Sequence, residues 1–167
     1  MMGGDFPGQE FMTYLRHYGF PSPLLDWSES PYIATYFAFR ELPKEKTESV
    51  SIFAYLEHSG IKFAWGTEPN IKVLGPYMRT DKRHFLQQSY YTVCTEGEKD
   101  QARYVSHEKV FSQANKRQDH LWKFNITASE RVKVLKKLDM YNINAYSLFG
   151  SEESLMETEF IREFVLR

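Results

Sequence analysis

A chain of 167 residues with 42% hydrophobic and 26% charged residues can bury a substantial core as one domain, which excludes wholesale disorder. A formal charge of −1 supplies no field toward phosphate backbones or anionic membranes, so nucleic acid is a disfavoured partner and no membrane is expected. Its one cysteine, Cys94, excludes an intrachain disulfide and suits a reducing cytoplasm.

The N-terminal MMGGDFPGQE lacks a signal peptide's basic and apolar regions, so a soluble cytoplasmic protein is expected. The first helix is predicted over residues 8–18, with Phe11, Leu15 and Tyr18 at helical spacing and Gly19 placed to end it in the left-handed conformation. GFPSP then forces a stiff, extended connection, because each proline disfavours helix at the residue before it. Leu24, Leu25 and Trp27 read as a short buried strand. A helix start follows, with Ser30 as cap, Pro31 at the first helical position and Glu29 at the positive end of the dipole. Ile33, Ala34, Phe37 and Ala38 form its expected inner face through about residue 41.

LPKEKTES reads as a charged loop and VSIFAYLEH (50–58) as an alternating strand; IKFAW (61–65) and NIKVLGPYM (70–78) are weaker strand candidates, the latter ended by Pro76. Residues 79–89 read as a turn or short helix, with RTDKR (79–83) as a solvated surface turn. YYTVC (90–94) is a strand in which Cys94 is expected as a buried, inert thiol. Residues 95–107 read as a polar excursion and HLWKFNIT (120–127) as another strand. Thr127 or Ser129 then caps a helix that turns Val132, Leu135 and Leu138 inward. After NINAYSLF, Gly150-Ser151-Glu152-Glu153 opens a last helix to about residue 164. Strands and helices mix without βα alternation, so the expected class is α+β: a mixed, mostly antiparallel sheet with flanking helices.

The sequence carries no Walker loop, GxGxxG or GxSxG pattern. The histidines at 17, 58, 84, 107 and 120 never pair at three- or four-residue spacing, so no local metal site is expected. Chemistry-bearing residues concentrate instead in YLRHYGFPSPLLDWSESPYIATYFAF (14–39).

His17, Tyr18, Gly19, Pro21, Leu24, Leu25, Asp26, Trp27, Ser28, Pro31, Tyr36, Phe37 and Ala38 stand in an order that resembles the FRG domain, a family of mainly bacterial and phage intracellular proteins. Arg79 followed by Gln87-Gln88, and NINAYSLFGSEESL, resemble its later segments, so the resemblance runs over roughly residues 12–160. Two departures stand out. Nothing before Phe11 matches the aromatic-Arg-Gly motif, and Pro23 occupies a position where many relatives carry arginine. The expectation is one FRG-like domain over 1–167, the C-terminal two-thirds or more of the family pattern, without its N-terminal strand. Such a chain is either the later part of a longer protein or one that has lost that strand.

The family layout is similar to that of NAD-dependent ADP-ribosyltransferases, an analogy at the level of fold. It implies a transferase-like effector of the toxin or phage-defence type, with NAD as substrate, no metal and a macromolecular target of unknown identity. On that implication Ser28, Glu29 and Gln88 are catalytic: Ser28 positions the nicotinamide ribose, and Gln88 or Glu29 orients the reacting ribose. His17, Tyr18, Asp26, Trp27, Arg79 and Gln87 are then ligand-binding, His17 on phosphate or ribose and Trp27 or Tyr18 stacking on nicotinamide.

Each residue alone also reads structurally. Asp26 caps a turn, Trp27 is core, Ser28 and Ser30 are helix caps, His17 meets carbonyls at a helix end, and Gln87 and Gln88 are edge-strand polar residues. The alternative function is a non-catalytic module whose aromatic cleft binds a ligand or partner. A sheet edge bared by the missing strand would favour a homo-oligomer.

Overall fold

The computed structural model describes residues 8–42, 47–58, 66–76, 81–97, 102–111 and 119–167. In chain order these form α1 (Gln9–His17), β1 (Leu25–Ser28), α2 (Pro31–Arg40), β2 (Ser49–Leu56), β3 (Gly66–Leu74), α3 (Arg83–Leu86), β4 (Ser89–Gly97), β5 (Arg103–Tyr104), α4 (Glu108–Phe111), β6 (His120–Thr127), a 3-10 turn (Ala128–Glu130), α5 (Arg131–Met140), α6 (Ala145–Phe149) and α7 (Glu152–Phe164). The class is α+β, as expected, and the strand pairs with a defined register are antiparallel. The candidate strand IKFAW and residues 77–80 lie outside the described residues. β3 begins at Gly66, ahead of the expected start at Asn70, and ends at Leu74.

The chain forms two compact units. The first comprises Met1–Trp27, Tyr55–Asp81 and Ser89–Leu121; the second comprises Ser28–Ala54, Lys82–Gln88 and Trp122–Arg167.

The first unit is built on β4. Strands run in the order β1-β4-β3, with β5 also paired to β4. In the β3–β4 ladder Leu74 faces Tyr91 and Ile71 faces Cys94, which fixes the faces, because side chains alternate along a strand. Tyr91 and Val93 pack with Leu24 and Leu74 on the α1 side, where Met12 joins them. Cys94 packs with Ile71 and Val110 on the other side, beside Tyr55, Val105 and Phe111. β4 is thus buried on both faces, so YYTVC is apolar nearly throughout rather than alternating. The expected polar excursion is partly strand: β4 runs on to Gly97 and β5 pairs with it, Arg103 and Lys109 both meeting Glu96.

Two expectations in this unit change. Leu24 is fully buried, but Leu25 turns outward. On α1 the aromatic stripe also faces out, with Phe11 and Tyr18 each 65% exposed, while Thr13 is buried. The helix is turned by Met12 against the core and by the polar bonds of Arg16 and His17 to Asp26 and Tyr91.

The second unit packs α2, α5 and α6 through Ile33, Tyr36, Phe39, Leu135, Leu138, Ala145 and Leu148, with Val50 of β2 and Ile126 of β6 against them. β2 and β6 pair as a two-stranded sheet. Ser30 caps α2 as expected, its Oγ accepting from the Ile33 N–H, and Pro31 opens the helix. Thr127 makes no side-chain cap, whereas Asn144 and Ser151 close capping boxes for α6 and α7. Gly150 between these helices has φ +62°, a left-handed value that suits glycine.

The inner faces differ from the expected ones here too. On α2 the buried residues are Ile33, Tyr36 and Phe39, and Phe37 is 41% exposed. Rotation brings the Tyr36 hydroxyl and the Arg40 guanidinium onto Glu157 of α7, Arg40 donating through Nε and Nη2 at 2.7 and 2.6 Å. On α5, Val132 is exposed and Arg131 takes the inward place. Its Nε donates to the Phe39 carbonyl at 2.9 Å and its Nη2 to the Arg40 carbonyl at 2.9 Å, so it serves as the C-terminal cap of α2.

Candidate functional site

The motif of residues 14–39 divides where strand geometry requires it to. Asp26 and Trp27 are successive residues of β1, so their side chains leave by opposite faces. Asp26 points toward α1, where its Oδ2 accepts from Arg16 Nε at 2.8 Å. On that face His17 Nε2 lies 3.1 Å from the Tyr91 hydroxyl. Tyr91 is only 1% exposed, and burial, aided by the Asp26 carboxylate, pushes its phenol up to about 12. It therefore stays protonated, a neutral partner for His17. Tyr18, at the end of α1, is exposed and pairs with Tyr14 at 4.8 Å between ring centroids.

Trp27 occupies the other face. Its Nε1–H donates to Thr92 Oγ1 at 2.8 Å, and Thr92 Oγ1 lies 2.9 Å from His107 Nε2. The indole packs against Tyr55, with centroids 5.4 Å apart and planes inclined by 37°. The Tyr55 hydroxyl donates to Asp119 Oδ2 at 2.6 Å, and Asp119 Oδ1 accepts the His58 N–H. Burial, then the bond to Asp119, raises the Tyr55 phenol far above its ordinary range. Asp26 and Trp27 thus leave β1 by opposite faces, and Tyr55 packs on the Trp27 indole.

In the second unit, Ser28-Glu29 lies against Gln87-Gln88 through hydrogen bonds to their backbone carbonyls. Ser28 Oγ donates to the Gln87 carbonyl at 2.8 Å across 59 residues of sequence and accepts from the Ser30 N–H at 3.1 Å. The Glu29 N–H donates to the Gln88 carbonyl at 3.1 Å. Gln87 Nε2 donates to the Leu148 carbonyl at 3.1 Å. Gln88 has φ +48°, a left-handed value uncommon outside glycine, and its side chain is exposed, as is that of Glu29. Ser28 and Gln87 are therefore engaged with backbone, while Glu29 and Gln88 carry exposed polar side chains. Arg79 lies outside the described residues.

Arg16, Tyr91, Thr92 and His107 were not singled out in the sequence. Thr92 carries a signal in retrospect, as a hydroxyl at an inward position of an otherwise apolar strand. His107 carries none, because its partner is set by the fold. Cys94 is buried, as expected; burial, with the Glu96 charge, pushes its thiol up to about 11, so it remains protonated and unreactive. Among the described residues no group of three His, Cys, Asp or Glu could hold a metal ion, and no helix is long and apolar enough to cross a membrane.

The family model of the FRG domain matches residues 5–48, the stretch that holds α1, β1 and α2. The match does not reach Gln87-Gln88 or residues 142–155, so the wider extent expected from the sequence has no support in it. No curated protein and no solved structure matches the chain.

Proposed function

We propose that this chain is an ADP-ribosyltransferase-like protein that cleaves NAD and passes ADP-ribose to a macromolecular target, as a toxin or phage-defence effector would. The observation that carries this reading is the junction of Ser28-Glu29 with Gln87-Gln88, two segments joined by the Ser28–Gln87 and Glu29–Gln88 hydrogen bonds. These are the segments that the analogy requires to meet, and no local sequence feature joins them.

The chemistry asked of them is simple. The bond from the ribose anomeric carbon to the nicotinamide nitrogen breaks, and its electron pair leaves with nicotinamide. Positive charge develops on the ribose in an oxocarbenium-like transition state. A carboxylate or an amide oxygen held beside that charge stabilises it more than it stabilises the ground state. Glu29 and Gln88 supply these two groups. A nucleophile of the target then bonds to the anomeric carbon and releases its proton to solvent. Ser28 has a different part from the expected one: its hydroxyl donates to Gln87, so it holds the two segments together rather than orienting ribose. The left-handed backbone at Gln88 fits a residue kept in a costly conformation for use.

A second reading, a non-catalytic binding module, is favoured by the engagement of Ser28 and Gln87 with backbone groups. Nicotinamide release and calorimetry with NAD separate the two readings. Release by wild type, reduced by about 10²- to 10³-fold in Gln88→Ala and in Glu29→Gln, supports the transferase. Heat of binding without release supports the module. Neither heat nor release removes NAD from the account.

A further inference from the structure

Trp27, Thr92 and His107 form a chain whose direction is dictated by chemistry. The indole nitrogen can only donate, so Thr92 Oγ1 is the acceptor in their 2.8 Å bond. Thr92 is 1% exposed, so no solvent reaches its hydroxyl, whose proton needs an acceptor within the protein. His107 Nε2, at 2.9 Å, is that acceptor. A nitrogen that accepts carries no proton, and the imidazole is therefore neutral with its proton on Nδ1.

We infer that His107 is a positioning residue for the Trp27 end of β1, closing a directed chain from Trp27 Nε1–H through the Thr92 hydroxyl to the unprotonated Nε2. Acid breaks this chain. A second proton on His107 must sit on Nε2, which then points a donor at Thr92 and leaves the Thr92 proton without an acceptor. Burial, the larger influence, holds the imidazole below its ordinary value of 6.5; the nearby Thr92 backbone works in the opposite direction and does not prevail. Around it, β4 carries Tyr90, Tyr91, Cys94 and Glu96, β5 carries Arg103 and Tyr104, α4 carries Glu108 and Lys109, β3 against α4 carries Glu68 and Lys72, and Tyr55 of β2, bonded to Asp119, packs on Trp27. Glu96 is paired with Arg103 and Lys109, and Asp119 with Tyr55, so burial rather than a neighbouring charge sets the state of His107.

Trp27 precedes Ser28, and only this link to Ser28 rests on the transferase reading. Isotope-edited NMR of the histidine and tryptophan side chains tests the inference without NAD. At neutral pH, His107 should be unprotonated at Nε2, and the Trp27 indole proton, identified through Trp27→Phe, should exchange slowly. Below the His107 titration its exchange should quicken by roughly tenfold beyond the intrinsic pH effect, as loss of one hydrogen bond implies. His107→Gln, whose side-chain oxygen accepts at every pH, should keep slow exchange in acid. An Nε2-protonated ring at neutral pH, exchange indifferent to the titration, or a His107→Gln variant that behaves like wild type would each overturn it. The expected NMR pattern with no nicotinamide release would sink the transferase reading and leave His107 in its role.

Discussion

Arg131 shows what a single residue does in this fold. Its guanidinium lies across the carbonyls of Phe39, Arg40 and Glu41, which the end of α2 leaves without helical partners. Arg131→Ala should destabilise the protein by on the order of 2 kcal/mol, since it leaves those carbonyls unpaired in a largely buried place. Arg131→Lys should recover only part of this, because an ammonium cannot reproduce the planar fork. Denaturant unfolding measures both, and equal stability of all three proteins would contradict the capping role. Cys94 makes a kinetic prediction. Because burial keeps its thiol protonated, alkylation in the native protein should be slow and should accelerate to the rate of a free thiol on unfolding. At this scale local chemistry was legible: the Ser30 cap and Gly19 at φ +79° are set by the residue and its near neighbours. Arg131 was not legible, because its partners lie about 90 residues away.

At the scale of elements, α2 depends on a cap at each end and on the triad of Tyr36, Arg40 and Glu157. Ser30→Ala should cost about 1 kcal/mol, read as a lower thermal midpoint. The Arg40 hydrogen bonds hold the Glu157 carboxyl below its ordinary 4.5 despite its partial burial, which acts the other way. A carboxyl with a lowered folded pKa contributes stability that is complete above the unfolded value and lost as pH falls through the folded one. Wild type should therefore lose stability below about pH 4.5 faster than Glu157→Gln does. Parallel acid profiles would show that the ion pair contributes nothing. Helix and strand positions were largely readable, since periodicity and caps act within a few residues. The faces they turn inward were not. Tyr36 meets Glu157 across 121 residues and His17 meets Tyr91 across 74, and such bonds rotated α1 and α2 away from their simplest apolar faces.

At the scale of the molecule, the FRG-like segment of residues 5–48 contributes α1, β1 and α2, and the boundary between the two compact units falls between Trp27 and Ser28. The candidate site was legible as a stretch of sequence but not as an arrangement. Strand alternation sends Asp26 and Trp27 to opposite faces, and Trp27 meets Tyr55 and Thr92, both remote in sequence. Ser28-Glu29 and Gln87-Gln88 are joined by hydrogen bonds across 59 residues, which no local pattern announces.

That junction is tested most directly by the rate of nicotinamide release from NAD, measured for wild type against Gln88→Ala under identical conditions. The account predicts turnover above the protein-free rate for wild type and a loss of about 10²-fold or more in the variant. Release that is equal in the two proteins, or no greater than without protein, would contradict it.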